Sequence, residues 1–388
     1  MKKKKRLKVG IAPDSFKGTL SSLEAATLIE RGLKKAIPDV ICVKIPVADG
    51  GEGTVQALVE ATGGKFVRRS VAGPLGKKVR AKFGISGDGN TAIMEMAEAS
   101  GLALLKPAER NPLKTSTYGT GELIKAALDL GARKILIGIG GSATNDCGTG
   151  MARALGVKFL DSKGRSIKDC GGALKYLDRI DMSGLDERLK EVQIEVACDV
   201  DNPLTGPRGA AQVYGPQKGA SPAMVDQLDE SLKNTARIIK RDVGIDILRV
   251  PGSGAAGGLG GGLMAFTGGV LRPGIDIVMD AVQLARRFKG CDLVITGEGS
   301  MDGQTVYGKT PAGVAKIAKK QGLPVIAICG RLGKGVQKVL KIGIDAYTAT
   351  LEFSIKKEED IPKLGPVFIE RKAEQVGRIL KIGSKLKM

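Results

Sequence analysis

Short apolar runs alternate with glycine-rich acidic loops and amphipathic stretches along this chain. KVGIA leads into the loop PDSFKGTL and then into SSLEAATLIERGLKKA, where Ser21 and Glu24 have the spacing of a helix capping box. ICVKIPV, RKILIGI and CDLVIT each lead into a similar loop and then a helical pattern. Apolar strands that alternate with helices predict an α/β fold with parallel sheets covered on both faces.

Acidic residues lie in the loops that follow these predicted strands. In parallel sheets, ligands bind beyond the carboxyl ends of the strands. A single carboxylate there is more often a helix cap or an Asx turn, but several together suit Mg²⁺ or a substrate hydroxyl. With Lys17 and Lys309 they supply the anion holders, metal ligands and base that phosphoryl transfer needs. The acidic residues are Asp14, Asp49, Glu52, Asp199, Asp201, Glu298 and Asp302.

Two stretches have the composition of connections between domains, SVAGPLGKKVRAKFG at 70–84 and RPGIDIVMDAVQL at 272–284. We therefore predict a Rossmann-like or flavodoxin-like parallel-sheet domain made of residues 1–77 plus 285–388. A second α/β domain, residues 78–284, is predicted to be inserted into it.

The chain contains no histidine. This excludes Ser-His-Asp and Cys-His catalysis, and most zinc hydrolases. A general base must then be Asp, Glu, Lys or a bound water, whereas Mg²⁺ chemistry on oxygen ligands stays open.

Composition narrows the class of partner and the location. The net charge of +20 favours anionic partners or reflects a thermophile's lysine-rich surface, but only 3% of residues are aromatic and Trp is absent. The six cysteines show no metal-ligand spacing, and the basic N-terminus lacks the apolar segment of a signal peptide. Residues 250–271 are uncharged but too rich in glycine for a membrane span. We predict a cytoplasmic protein with reduced cysteines that binds neither membrane nor nucleic acid.

Two motifs match nucleotide-binding patterns without their usual context. GQTVYGKT at 303–310 has the letters of a P-loop, but GEGSMD separates it from the strand CDLVIT, whereas a P-loop follows its strand directly. PGSGAAGGLG contains G-x-G-x-x-G at Gly252, Gly254 and Gly257, after a run that Pro251 interrupts. We expect Lys309 to meet an anion outside a true P-loop. For the glycines, phosphate or substrate binding and close helix packing both stay open.

Six segments together resemble the type-1 glycerate kinase family, in order from about Lys8 to about Gly365. They are APDSFKGTLSSLEAA, PVADGGEGT, GGSATNDCGTGMARALG, ACDVDNPL, PGSGAAGGLGGG and ITGEGSMDGQTVYGKTPAGVA. The resemblance implies a kinase that uses ATP and Mg²⁺ to phosphorylate D-glycerate to 2- or 3-phosphoglycerate. It also implies two α/β domains, one inserted in the other, with the active site in the cleft between them.

Under this resemblance each candidate residue has an expected role. Asp199, Asp49 and Lys17 are the expected catalytic residues, and Asp199 and Asp302 the expected Mg²⁺ ligands. The phosphates of ATP are expected near Gly252, Gly254, Gly257 and Glu298. Substrate is expected at Asp14, Ser15, Glu52, Asn202 and Lys309. A homodimer is possible.

Two other functions stay open at this point. A dinucleotide-dependent oxidoreductase of a small hydroxy acid would need a strand-borne glycine motif and an acid that binds ribose. A basic nucleic-acid-binding protein would show salt-sensitive binding to DNA and no ATP turnover.

Overall fold

Strands and helices alternate along the chain in a computed structural model, which describes residues 5–16, 18–51, 53–350 and 361–386. Within these residues the strands are β1 Lys8–Pro13, β2 Ile41–Lys44, β3 Lys65–Ala72, β4 Lys78–Ile85, β5 Thr91–Glu95, β6 Lys134–Gly138, β7 Lys158–Leu160, β8 Arg179–Asp181, β9 Gln193–Ala197, β10 Val270–Arg272, β11 Leu293–Gly297, β12 Ser300–Met301, β13 Val325–Cys329, β14 Arg331–Leu332 and β15 Ala346–Ala349.

The α-helices of the described residues vary from one turn to six. They are α1 Ser22–Ala36, α2 Thr54–Thr62, α3 Ala97–Ser100, α4 Tyr118–Asp129, α5 Thr149–Ala154, α6 Ala210–Tyr214, α7 Pro222–Asp242, α8 Leu259–Thr267, α9 Gly274–Ala281, α10 Leu284–Arg287, α11 Thr310–Lys319 and α12 Ile361–Gly383. The predicted capping box is present at the start of α1, where Ser21 and Glu24 exchange hydrogen bonds with each other's backbone N–H.

The chain divides into two compact units, and unit 1 comprises Met1–Thr62 and Ile275–Met388. Its five-stranded sheet has the order β15-β13-β11-β1-β2, and every neighbouring pair is parallel. Counted along the unit, this is the 2-1-3-4-5 order of flavodoxin-like folds, in which the direction of winding reverses between the first and third strands. That reversal places a crevice at the carboxyl ends of β1 and β11.

Unit 2 comprises Gly63–Gly274 and has a six-stranded mixed sheet of order β10-β9-β6-β5-β4-β3. The four strands from β10 to β5 are parallel, and β4 and β3 add an antiparallel edge. The parallel α/β architecture predicted from the alternation of strands and helices is therefore present in the described residues of both units.

The limits of the two units differ from the predicted domain limits of 77/78 and 284/285. β3 precedes residue 77, but it forms an antiparallel ladder with β4 from Lys65↔Ile85 to Ala72↔Lys78 and so belongs to unit 2. The predicted boundary would separate two hydrogen-bonded strands. Composition around 70–84 indicated a connection because the tight turn between these strands is rich in Gly, Pro and Lys.

None of the described helices combines the length and apolarity that crossing a bilayer requires. All six cysteines are free thiols, and Cys147, Cys291 and Cys329 are buried.

Gly32 of α1 allows this helix to approach α12 closely in unit 1. A Cβ at this position would lie 2.2 Å from the carbonyl oxygen of Glu370 and 2.7 Å from Ala373 Cβ. Alanine normally favours a helix over glycine, but here it would force the two backbones apart.

We predict that Gly32→Ala lowers the free energy of unfolding by about 1–3 kcal/mol, because overpacking outweighs the gain in helix propensity. Gly383→Ala in α12 is the matched control, because a Cβ there meets nothing within 4 Å. Urea unfolding of both variants checks this, and equal midpoints for the two would contradict it.

Candidate active site

Two hydrogen bonds, one from a backbone N–H and one from a side-chain hydroxyl, hold the ends of β1 and β11 together where the winding of the sheet reverses. The N–H of Asp14 donates to the Gly297 carbonyl oxygen at 2.8 Å, and Thr296 Oγ1 donates to the Ala12 carbonyl oxygen at 2.8 Å. Asp14 and Glu298 follow these strands directly, so their carboxylates project from adjacent strand ends.

The carboxylate of Asp14 is partly buried and hydrogen-bonded. Thr310 Oγ1 donates to its Oδ2 at 2.5 Å, and the backbone N–H of Ser15 donates to its Oδ1 at 2.6 Å. Burial raises the pKa of Asp14, the bond from Thr310 opposes this, and the nearby charge of Asp49 raises the pKa further. This carboxylate therefore takes up a proton or a cation more readily than a solvated aspartate.

Glu298 lies at the centre of the second half of the cluster and is 8% exposed. Thr305 Oγ1 donates to its Oε1 at 2.7 Å, and Lys309 Nζ lies 3.8 Å from its Oε2 and 3.7 Å from Asp302 Oδ1. Burial raises the pKa of Glu298 to about 7, although Thr305 and Lys309 favour the charged form. A carboxyl group with this pKa can accept or release a proton near neutral pH.

The segment GQTVYGKT does not have the geometry of a P-loop. The strand β12 and a 3₁₀ turn, Thr305–Tyr307, lie between the end of β11 and the start of α11. Gly308 has a φ of 104°, and Lys309 then occupies the N-cap position of α11 in an extended conformation. The Nζ of Lys309 lies near two carboxylates, those of Glu298 and Asp302.

A cavity of about 390 Å³ opens above these side chains within unit 1. This volume is in the range of small-molecule sites. Its polar side contains the predicted residues Asp14, Ser15, Asp49, Glu298 and Lys309.

Asp49 reaches the cavity through a loop tied to the end of β1. Ser22 Oγ donates to the Pro13 carbonyl oxygen at 2.6 Å and accepts from the Val47 N–H at 2.9 Å. Gly51 N–H donates to Asp49 Oδ1 at 3.0 Å. The other residues predicted in these two loops, Lys17 and Glu52, lie outside the described residues.

The predicted site residues of unit 2 are engaged in holding its loops. Asp199 Oδ1 accepts from the Gly274 N–H at 2.8 Å. The amide of Asn202 donates to the Arg208 carbonyl oxygen at 2.8 Å and accepts from the Tyr214 hydroxyl at 2.7 Å. Substrate at Asn202 would therefore have to share or displace these bonds.

The glycine run of unit 2 packs tightly against two loops. A Cβ at Gly254 would lie 2.1 Å from the Pro203 carbonyl oxygen, and one at Gly257 would lie 2.0 Å from that of Thr144. Gly252 has a φ of 82°. In the described part of unit 2 no strand lies between α7 and α8, so the G-x-G-x-x-G letters lack the strand that a dinucleotide site requires.

Comparison with known proteins decides between the open functions. The family model described as "Glycerate kinase family" matches residues 9–381. A Bacillus subtilis (strain 168) protein named glycerate kinase is 51% identical over 98% of this chain and 99% of its own length. An Escherichia coli (strain K12) protein named glycerate 2-kinase is 53% identical over 89% of this chain and 91% of its own.

The chain belongs to the glycerate kinase family. A crystal structure assigned as a glycerate kinase 2, from Salmonella typhimurium LT2, has a TM-score of 0.92 at 50% identity and covers 98% of this chain and 100% of its own. The chain is therefore an enzyme, a kinase of this family. The oxidoreductase and nucleic-acid alternatives do not share this support.

Sequence reasoning missed a buried polar cluster in unit 2 of this glycerate kinase family member. Lys218 is 1% exposed, and its Nζ donates to Ser142 Oγ and to the Thr144 carbonyl oxygen, both at 2.7 Å. The side-chain amide of Asn145 is buried without a hydrogen-bond partner in the protein. The glycine-rich loop after β6 signals a polar site, but nothing local marks the lysine, which ends a 3₁₀ turn, Pro216–Lys218, far along the chain.

Asp146 follows Asn145 in the glycine-rich loop after β6 and is wholly buried. Its Oδ2 accepts from the Thr117 N–H and from Thr117 Oγ1, each at 2.8 Å. Burial raises the pKa of Asp146, whereas burial lowers the pKa of Lys218 to about 7. Both groups therefore resist ionisation in the folded protein.

The lowered pKa of Lys218 predicts a pH-dependent stability. Between about pH 7 and 10.5 the unfolded chain binds a proton at this lysine that the folded chain does not. Unfolding free energy should therefore rise with pH across this window, by up to about 1.4 kcal/mol per pH unit from this group.

Chemical unfolding at several pH values between 7 and 9.5 checks this for the wild type and for Lys218→Met, which should lack this part of the slope. Lys190→Met is the control, because the Lys190 side chain is 76% exposed. Identical slopes for wild type and Lys218→Met would contradict the prediction.

Proposed function

We propose that the chain transfers the γ-phosphoryl group of ATP to a hydroxyl of D-glycerate in the cavity of unit 1. The observation that carries this proposal is the cluster of Asp14, Glu298, Asp302 and Lys309 at the strand ends where the winding reverses, in a member of the glycerate kinase family. Ligands of such sheets bind at this point.

Lys309 is proposed to stabilise negative charge on the transferred phosphoryl group. Its Nζ lies more than 3.6 Å from both of its acidic neighbours, at 3.8 and 3.7 Å, and its side chain is 33% exposed. These distances are longer than those of hydrogen bonds. The N–H groups of Lys309 can therefore donate to an incoming phosphate without first breaking a close hydrogen bond.

Glu298 is proposed to accept the proton that the hydroxyl of glycerate loses. A pKa of about 7 keeps part of the population ionised at neutral pH and gives the acceptor enough basicity. Thr305 holds the other carboxylate oxygen, which fixes the direction of Oε2. The predicted catalytic roles of Asp49, Asp199 and Lys17 stay predictions.

The donor set is compatible with Mg²⁺ brought in by the nucleotide. The described residues contain no group of three acidic or thiol ligands ready to hold a metal alone. Mg²⁺ needs only one or two carboxylates when phosphates supply further oxygens. Asp14 lines the cavity, and Asp302 Oδ1 lies 3.7 Å from Nζ of the cavity residue Lys309. Bound there, the ion would neutralise charge on the phosphates. A metal role for Asp199 stays a prediction.

The finer features of the prediction belong to this proposal. The name of the 53% identical Escherichia coli relative, glycerate 2-kinase, supports phosphorylation at the 2-hydroxyl. The type-1 subdivision rests on the six motifs, because the family description names no subtype. The cleft between two domains, the cytoplasmic location and the homodimer stay predictions, and every role proposed here lies within unit 1.

A coupled assay for ADP release tests the activity. We expect ADP release that depends on D-glycerate, with 2-phosphoglycerate as the product by phosphorus NMR. Lys309→Met should lower kcat/KM by about 100-fold or more, because one preorganised cation is lost from the transition state. Lys316→Met, on the exposed side of α11, is the matched control and should stay within about twofold of wild type.

Either of two results would overturn the proposal. One is wild-type protein that releases no ADP in response to glycerate. The other is a Lys309→Met variant as active as Lys316→Met.

A further inference from the structure

Two chemically different sets of residues line the cavity of unit 1. One set contains Asp14, Asp49, Glu298 and Lys309. The other set, here called the apolar wall, consists of Phe16, Ile361, Gly365 and Ile369. Three of these residues lie on α12, and Phe16 follows β1.

The apolar wall is firmly built from the core of unit 1. Phe16 is 5% exposed and Ile369 is 1% exposed, and both belong to the hydrophobic cluster that includes Val9, Ile11 and Ile29. A wall of this kind presents a fixed apolar surface to a ligand, because its side chains are held by packing behind them.

Glycerate does not explain the apolar wall. Each of its three carbons carries an oxygen function, so every part of the molecule seeks hydrogen bonds or charge. The polar residues of the cavity can pair with these oxygens, whereas the apolar wall would leave them without hydrogen bonds. ATP, the larger co-substrate, in contrast has one uncharged planar part, which is its purine base.

We propose that the apolar wall binds the purine base of the nucleotide, while the phosphates extend to Lys309 and the acidic cluster. This inference rests on the proposed function. It gives a role to the residues of the apolar wall, none of which has one in the proposed phosphoryl transfer. A planar ring packs favourably against aliphatic and aromatic side chains, and the hydroxyl-bearing residues Thr19 and Thr350, which also line the cavity, suit ring nitrogens.

Gly365 keeps the wall open. Its backbone lines the cavity, and a Cβ at this position would lie 3.1 Å from Cγ2 of Thr19, which lines the cavity as well. A side chain at position 365 would therefore narrow the space between α12 and Thr19, where a ring would enter.

The test compares ligands with and without a base. Gly365→Leu should weaken ADP binding, measured by titration calorimetry, and raise the KM for ATP by about tenfold or more. The KM for glycerate and the inhibition constant of tripolyphosphate, which has phosphates but no base, should stay within about twofold of wild type. Ile361→Ala, which removes part of the wall instead of filling it, should raise the KM for ATP in the same selective way.

Gly383→Leu is the matched control in the same helix, because a Cβ there meets nothing within 4 Å. Thermal unfolding of each variant shows that it is folded. A rise in the KM for glycerate but not for ATP, equal weakening of tripolyphosphate and ADP, or no change in ADP binding by either wall variant would overturn the inference. Wild-type protein without glycerate-dependent ADP release would instead overturn the proposed function.

Discussion

The reversal of winding between β1 and β11 is the constraint on which the site of unit 1 depends. On the two sides of this point the connections between parallel strands run in opposite directions. The loops at the carboxyl ends of the two adjacent strands therefore turn away from each other and leave a crevice. The bond from the Asp14 N–H to the Gly297 carbonyl oxygen joins the two ends. Because this backbone is fixed, Asp14 and Glu298 are held as neighbours despite lying far apart in the chain.

Holding these carboxylates close together and away from water has an electrostatic consequence. Burial raises the pKa of both Asp14 and Glu298. The charge of Asp49 raises the pKa of Asp14 further, and the charges of Asp14 and Asp302 raise the pKa of Glu298 further. Hydroxyl donors on Thr305 and Thr310 and the charge of Lys309 offset part of this penalty. The cluster is therefore ready to receive a proton or a cation, which is the state that phosphoryl transfer to a hydroxyl requires.

The alternation of apolar runs and acidic loops was enough to predict the fold class and most of this cluster. It placed Asp14, Asp49 and Glu298 in loops that follow strands and Lys309 farther along the loop of Glu298, and all four line one cavity. The pattern could not show which loops meet, since strand order depends on tertiary packing. For that reason the predicted limit at residue 77 separated β3 from its partner β4.

The buried cluster of Lys218, Ser142 and Thr144 shows a second limit of local reasoning. Lysine in the loop PQKGAS has the composition of a solvated turn, and only long-range packing buries it. At Gly252, Gly254 and Gly257 the spacing left ligand binding and close packing both open, and a Cβ at Gly254 or Gly257 would lie 2.1 or 2.0 Å from a backbone oxygen of a neighbouring loop. Spacing alone does not distinguish a backbone that approaches phosphate from one that approaches another loop.

A crystal structure with Mn²⁺ and ADP bound, with anomalous scattering used to locate the metal, tests the central claim most directly. The claim predicts an Mn²⁺ peak beside the cavity of unit 1, at about 2.0–2.6 Å from a carboxylate oxygen of Asp14 or Asp302, with Glu298 left free to act as the base. It also predicts the β-phosphate within reach of Lys309. Metal and phosphates bound away from these four residues would contradict it.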